Sequence, residues 1–360
     1  MSVFNGDVIK IEIFGESHSA EIGFRASGIP NMKLDEQSLS RFLKRRMANG
    51  EAYSTPRIEK DEPIFIKGYD NGLIGGDLEV VIKNENVKSG DYIDLYGKPR
   101  PSHADYCAFI KDGTLDFRGG GRFSGRMTAP LAVCGGILKQ FLEARGIKIN
   151  AYLSGVGKVE GRSYRDGGIS SEEIEGITGF PALSHGEEML REIAEAKAAG
   201  DSVGGVCECV ISGAPAGLGD CLFEGLEGKI AALVYAVPAV KGVEFGGGFA
   251  LSETCGSVAN DAMRYEDDKV VKVTNNSGGI NGGISDGSQI TFRAAIKPTP
   301  SISLPQKTVD LVKKENAEIT VRGRHDACVA VRALPVIESA AAIALTDEIL
   351  KAERKKDGRT

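Results

Sequence analysis

Arg118-Gly119-Gly120-Gly121-Arg122-Phe123-Ser124-Gly125-Arg126-Met127-Thr128 is the densest stretch of this chain, and it runs straight into Ala129-Pro130-Leu131. Three successive glycines let the backbone come close to a ligand, because no Cβ intrudes. Their amides can form an anion-binding concavity, and a helix starting just beyond turns its positive end toward the same place. Arg118, Arg122 and Arg126 add guanidinium forks that fit phosphate or carboxylate. The competing reading is a tight turn with solvated arginines. The pattern is neither GxGxxG nor GxxxxGKS/T, so it carries no dinucleotide fingerprint and no P-loop. The helix itself is predicted over 128–146, with Thr128 as cap, Pro130 in the first turn and Gly146 as stop. Leu131, Leu138, Phe141 and Leu142 would form its buried face.

Outward from this point the chain alternates between strand and helix signals. Ile9, Ile11 and Ile13 alternate with Lys10 and Glu12, a half-buried strand ending at Phe14-Gly15. Residues 34–47 read as a helix capped by Asp35, with Leu39, Phe42 and Leu43 as its apolar stripe. Leu78, Val80 and Ile82 mark a strand, residues 186–199 a helix through Met189, Leu190 and Ile193, and Val206, Glu208 and Val210 another strand. A helix over 226–237 and a strand through Ile290, Phe292, Ala294 and Ile296 follow, after which Pro298, Pro300 and Pro305 break the pattern. The Ala-rich stretch 336–350 closes the chain as a helix. Residues 351–360 read as a charged, frayed tail. The order is no regular βαβ alternation and shows no repeat and no linker, so one α+β body over 1–350 is the expectation.

Composition narrows the function classes. Glycine supplies 47 of 360 residues, roughly twice the usual share, without a collagen period. The formal net charge of −6 argues against a nucleic-acid or anionic-membrane surface, while leaving room for a local basic pocket. No basic-then-apolar leader opens the chain and no apolar run reaches ~18 residues, so neither secretion nor membrane spanning is expected. Seven scattered cysteines without a CxxC argue against a disulfide framework and a zinc ribbon, and no metal site is expected. Cys207 and Cys209 read as buried strand residues, and the cytoplasm is the natural compartment.

Four histidines exist. Three sit beside small or charged residues, in Gly15-Glu16-Ser17-His18, Arg100-Pro101-Ser102-His103-Ala104-Asp105 and Arg322-Gly323-Arg324-His325-Asp326. Histidine suits proton transfer near neutral pH, although each one alone fits an ordinary surface residue equally well. The fourth, His185, reads as a surface turn. Further glycine-rich stretches lie at 242–249 and 275–287, and Lys44-Arg45-Arg46 closes a predicted helix. Together these describe an acidic protein with arginine clusters set in backbone-exposing sequence, as a pocket for a multiply anionic ligand requires.

Nine segments, in order from residue 14 to 326, resemble chorismate synthase. They are Phe14-Gly-Glu-Ser-His18, Arg45-Arg46, Ser102-His-Ala-Asp-Tyr106, Arg118-Gly-Gly-Gly-Arg-Phe-Ser-Gly-Arg126, Ala216-Gly-Leu-Gly219, Ala239-Val-Lys-Gly-Val-Glu244, Gly278-Gly-Ile-Asn-Gly-Gly-Ile-Ser285, Lys297-Pro-Thr299 and Gly323-Arg-His-Asp326. The resemblance implies a single-domain α+β fold, a β-α-β sandwich with helices between two antiparallel sheets, usually assembled as a homotetramer. It also implies the last step of the shikimate pathway. 5-Enolpyruvylshikimate 3-phosphate loses phosphate and a ring proton to give chorismate, with reduced FMN required and no net redox change.

Roles carried over by matched position make His103 the residue that protonates or holds the reduced flavin near N1. His18, with Ser17 beside it, would donate a proton to the departing phosphate. Asp326 would serve the N5 region, assisted by Ser124. Arg122, Phe123, Ser124, Ala239, Gly282, Lys297, Pro298, Thr299 and Arg324 match flavin-contacting positions, and Arg46, Arg126 and Arg332 are the candidates for substrate anions. The chain departs from the family pattern in Met47-Ala-Asn-Gly-Glu-Ala-Tyr53, where Ala52 replaces an arginine, and at Ser19, Pro238, Pro300 and Ala327. With Ala52 there, direct NADPH contact is not expected, and NADPH enters only as an indirect reductant. Two other readings stand beside this one: a flavin-dependent oxidoreductase acting on an anionic metabolite, and a degraded paralogue that only binds.

Overall fold

The computed structural model describes residues 2–47, 60–84, 95–115, 117–321 and 325–358. The first five strands are β1 (Ser2–Asn5), β2 (Lys10–Gly15), β3 (Glu21–Lys33), β4 (Ile64–Asp70) and β5 (Leu73–Lys83), with α1 (Glu36–Lys44) between β3 and β4. They form an antiparallel sheet in the order β1-β2-β3-β5-β4. Its inner face is set by alternation: Ile22, Phe24 and Ala26 of β3 stand opposite Ile82, Val80 and Leu78 of β5, and all six are buried. Helices α2 (Asp105–Asp112) and α3 (Thr128–Glu143) follow. The second sheet takes β6 (Lys148–Val156), β7 (Val159–Glu160), β8 (Gly205–Ser212) and β9 (Val240–Phe245), with α4 (Ser171–Glu175), α5 (Gly186–Ala198) and α6 (Leu226–Tyr235) interspersed.

Beyond β9 come α7 (Gly256–Ala259) and two small hairpins, β10 (Met263–Glu266) with β11 (Lys269–Lys272) and β12 (Ile280–Asn281) with β13 (Ile284–Ser285). Strand β14 (Ile290–Ile296) then completes the second sheet, whose antiparallel order is β7-β6-β8-β14-β9. A last hairpin, β15 (Gln306–Asp310) with β16 (Glu315–Ile319), precedes α8 (Ala330–Lys356). Helix α3 packs on β3 and β5, α8 packs on β6 and β8, and the two helices pack on each other. The expected sandwich of helices between two antiparallel sheets is therefore observed, and one apolar cluster extends through both sheets. Among the described residues no helix is long and apolar enough to cross a membrane.

Local signals were obeyed where local forces decide. Asp35 caps α1, its Oδ1 accepting from the amides of Gln37 and Ser38 at 2.9 and 3.0 Å. Leu39, Phe42 and Leu43 are buried as expected. Cys207 and Cys209 are buried too, and desolvation pushes both thiols up. The Glu208 side chain between them is equally buried, accepting from Tyr152, from Ser163 Oγ at 2.7 Å and from the Tyr164 amide at 3.0 Å.

Five expectations are corrected. Thr128 does not cap α3: a 3-10 turn, Gly125–Met127, precedes the helix, and Ser124 caps that turn by accepting from the Arg126 amide. Helix α3 ends at Glu143, with Gly146 in the turn beyond at φ +77°, and residues 128–138 are buried on every side instead of along a stripe. A helix held between two sheets has no solvent face, so its pattern loses amphipathicity. The closing helix begins six residues before 336 and passes through Pro335. It also continues to Lys356, so residues 351–356 are not a loose tail; Lys351 is paired with Asp7 and Glu224.

Crossing of α3 and α8 depends on Gly135. A Cβ built there would lie 2.2 Å from Ser339 Cβ and 2.4 Å from its Cα. Gly135→Ala should therefore force the helices apart and destabilise the fold by roughly 1–3 kcal/mol, as overpacking does. Urea denaturation measures this, and an unchanged midpoint would contradict the close crossing.

Candidate active site

A cavity of about 830 Å³ opens where six pieces of chain converge: the residues leaving α1, the segment before α2, the turns leading into α3, the α6–β9 connection, the residues leaving β14 and the start of α8. Among the described residues, Arg46, Arg100, Arg122, Arg126, Lys241, Lys297 and Arg332 line it together with one carboxylate, Asp326. Asp61, Asp105 and Asp112, outside the lining, pair with four of these arginines. Seven cations thus meet four acids, and the balance still favours anions, as the glycine-arginine stretch predicts.

His103 stands at the N-terminal side of α2. Its Nδ1 lies 2.5 Å from Asp105 Oδ1, and Arg100 grips both oxygens of the same carboxylate, Nε to Oδ2 at 2.7 Å and the terminal nitrogen to Oδ1 at 2.9 Å. Burial alone would raise the Asp105 carboxyl, but hydrogen bonds from Arg100 and His103 outweigh it and hold the pKa at about 2. A depressed carboxyl contributes stability above its unfolded pKa of about 4, and that contribution is lost as pH falls toward 2. The stability gap between the native chain and Asp105→Asn should accordingly shrink by roughly 2 kcal/mol over that window. Urea titrations at several acid pH values measure it, and a constant gap would contradict the assignment.

The glycine turn closes over this histidine. Gly120 and Gly121 adopt φ of +85° and +50° within the 3-10 turn Arg118–Phe123. A Cβ on Gly120 would lie 3.4 Å from His103 Cε1 and Nε2, an ordinary contact, so it is the backbone sign that calls for glycine.

Arg46 and Arg126 meet on one buried acid. Asp61, 2% exposed, is ion-paired with a terminal nitrogen of each. Its burial would raise the carboxyl, and the two arginine charges more than reverse this. Arg46 also donates to Thr128 Oγ1 at 3.0 Å and Arg126 to Asn84 Oδ1 at 2.9 Å, which ties α1, β5 and α3 into one wall. Arg332 donates to the Arg46 carbonyl at 2.8 Å and pairs with Asp326 at 2.7 Å. The three arginines chosen for substrate anions thus form a single linked group.

The candidate flavin positions divide. Arg122, Phe123, Ser124, Ala239, Lys297 and Thr299 line the cavity. The Arg122 guanidinium sits 4.9 Å from the Phe123 ring centre and pairs with Asp112. The Lys297 ammonium donates to the Ser102 carbonyl, and burial, aided by the Lys241 charge, lowers its pKa. Ala239 holds φ +73°, a strained value for a residue with a Cβ. Thr299 Oγ1 is buried with no hydrogen-bond partner among the described residues.

Pro298 does not line this cavity. It faces a second, polar hollow of about 500 Å³ with Ser154, Arg165 and Arg293. Gly282 does not line it either: it sits between β12 and β13 with open space where a side chain would be. Arg324 and the divergent residues 48–57, Ala52 included, lie outside the described residues. Ser17 and His18 stand behind the glycine turn and do not line the cavity. The Ser17 amide donates to Gly121 O at 3.3 Å, and Ser17 Oγ is 3.0 Å from His18 Nδ1. His185 is exposed in a turn at φ +55°, as expected. Arg100, Asp105, Lys241 and Asp61 carry no role in the sequence reading. The first three lie inside quoted motifs, so proximity to His103 and Ala239 was an available signal, whereas Asp61 had none.

Comparison with known proteins bears on the same residues. A family model described as Chorismate synthase matches residues 9–350. A chorismate synthase of Thermococcus kodakarensis is 43% identical over 349 residues, spanning 96% of this chain and 97% of its own. One from Dehalococcoides mccartyi is 39% identical over 355 residues, spanning 98% of each chain. A crystal structure of chorismate synthase aligns with a TM-score of 0.72 and 25% identity, covering 97% of this chain and 93% of its own. The chain therefore belongs to the chorismate synthase family.

Proposed function

We propose that the protein is a carbon–oxygen lyase that converts 5-enolpyruvylshikimate 3-phosphate to chorismate by 1,4-elimination of phosphate, using reduced FMN without net redox change. The observation that carries this is the 830 Å³ cavity in which seven cationic side chains surround His103 and Asp326. The substrate brings a phosphate and two carboxylates, and the flavin another phosphate, matching that excess of positive charge. The glycine turn at Gly120-Gly121 and the unpartnered Thr299 hydroxyl fit a bound flavin. When bound, reduced FMN supplies an electron-rich ring beside the reacting carbons.

The chain's own residues do the rest. Arg46, Arg126 and Arg332 orient the substrate anions, and Arg122, Phe123, Lys297 and Thr299 hold the cofactor. His103 holds a proton at the flavin edge. By matched position His18, with Ser17, would donate one to the departing phosphate. Neither lines the cavity, so this role needs the phosphate to reach the glycine turn at Gly121 that the Ser17 amide contacts. Asp326, assisted by Ser124, serves the flavin N5 region, where the ring proton would be delivered. Reducing equivalents come from outside, with NADPH as an indirect source. We also infer one catalytic unit over 1–350, supported by the continuous core. Self-association into a homotetramer is inferred from the family resemblance, with the exposed Leu222 and Phe223 as one apolar patch it could cover. A cytoplasmic setting is supported by seven free cysteines.

Anaerobic protein given substrate and reduced FMN should release inorganic phosphate, and given oxidised FMN should release none. Silence in both arms, with reduced flavin verified as bound, would reject the reading.

A further inference from the structure

We propose that Asp105 is a positioning residue which, with Arg100, fixes the cavity-lining His103 as the Nδ1–H tautomer, leaving Nε2 on the edge that faces Gly120. A carboxylate only accepts, so a 2.5 Å contact with Asp105 Oδ1 requires the proton on Nδ1. The Arg100 terminal nitrogen also lies 3.1 Å from Nδ1. A guanidinium only donates, so it cannot bond a nitrogen that already carries hydrogen. Its own hydrogens are taken by Asp105 Oδ1 at 2.9 Å and by the Phe117 carbonyl at 3.2 Å. The Arg100 amide and Nε both donate to Asp105 Oδ2, at 3.0 and 2.7 Å, which keeps the carboxylate charged and immobile. The ring is thus held on its Nδ1 edge by an acid that is itself held by three donors from one residue.

The opposite edge faces Gly120, where a Cβ would come within 3.4 Å of Nε2 and 3.7 Å of Ser124 Cβ. With Nδ1 committed to Asp105, Nε2 is the nitrogen of this cavity-lining ring able to exchange a proton. A carboxylate at the first turn of α2 also suits the helix dipole, and that structural service alone would leave the histidine tautomer untouched. The catalytic meaning of the tautomer rests on the proposed function, but the tautomer itself does not.

The test is long-range proton–nitrogen NMR of the full chain labelled in its histidines, of which there are only four. With the rings neutral, the expected result is Nδ1–H for His103 in the native protein. Asp105→Asn should shift it toward Nε2–H, because the new amide can donate to Nδ1, and Asp105→Glu should restore Nδ1–H. In the phosphate-release assay Asp105→Asn should lower kcat by roughly 10²–10⁴-fold with KM changed by less than about threefold, as expected when a catalytic imidazole is in the wrong tautomer. Nε2–H in the native protein overturns the proposal without any variant having to fold. So does Nδ1–H retained in Asp105→Asn, or a loss expressed in KM with kcat intact. A protein that shows Nδ1–H and its reversal yet releases no phosphate would sink the proposed function and leave the tautomer assignment standing.

Discussion

Replacing His103 with alanine is expected to slow anaerobic phosphate release by roughly 10²–10⁴-fold, the usual value of positioned acid–base assistance, while reduced FMN still binds. The fold should tolerate the change. The ring is at the cavity wall, and its removal leaves Asp105 still paired with Arg100 at 2.7 Å. Binding should persist because the candidate flavin contacts come from other segments, at 122–124, 239 and 297–299. A steady-state assay with saturating flavin, together with a flavin titration, separates the two effects. A near-native rate would remove His103 from the chemistry, and a loss explained wholly by absent flavin would make it a binding residue only.

The largest expected effect on stability belongs to Asp61. Asp61→Ala leaves Arg46 and Arg126, only 3% and 5% exposed, without their shared anion. Breaking one partner out of a buried ion pair costs roughly 3–5 kcal/mol, because the remaining charge stays desolvated. Phosphate release should fall as well, since the two arginines and Arg332 are linked through the Arg46 carbonyl. Chemical denaturation of the native and variant chains gives the number. A cost below about 1 kcal/mol would mean that the arginines find replacement partners and that Asp61 does not organise the wall.

How far the sequence spoke depended on the range of the forces involved. Helix α1 and its Asp35 cap were legible because the cap bonds reach only two and three residues along the chain. Strand β5 announced its inner face through Leu78, Val80 and Ile82, and β2 through Ile11 and Ile13, whereas β3 carried no reading of its own. Helix α3 hid its environment, since burial on all sides leaves no polar face to read. The Ala-rich stretch marked only the middle of α8, which starts at Ala330 and passes through Pro335 within the layer between the sheets. In the site, His103, Asp326 and the arginines came together as the motifs implied. The Asp61 bridge was illegible, because its partners lie 15 and 65 residues away in sequence and no local pattern marks it. Pro298 is a different case. In an extended segment neighbouring residues face opposite sides, so Lys297 and Thr299 could share the cavity only with Pro298 turned away.

Counting products against cofactor is the most direct test of a redox-neutral elimination in this cavity. With substrate in large excess over reduced FMN and oxygen excluded, many molecules of phosphate and chorismate should form for each flavin, and the flavin should be recovered still reduced. One flavin oxidised for every product would contradict that chemistry and identify a net electron transfer instead.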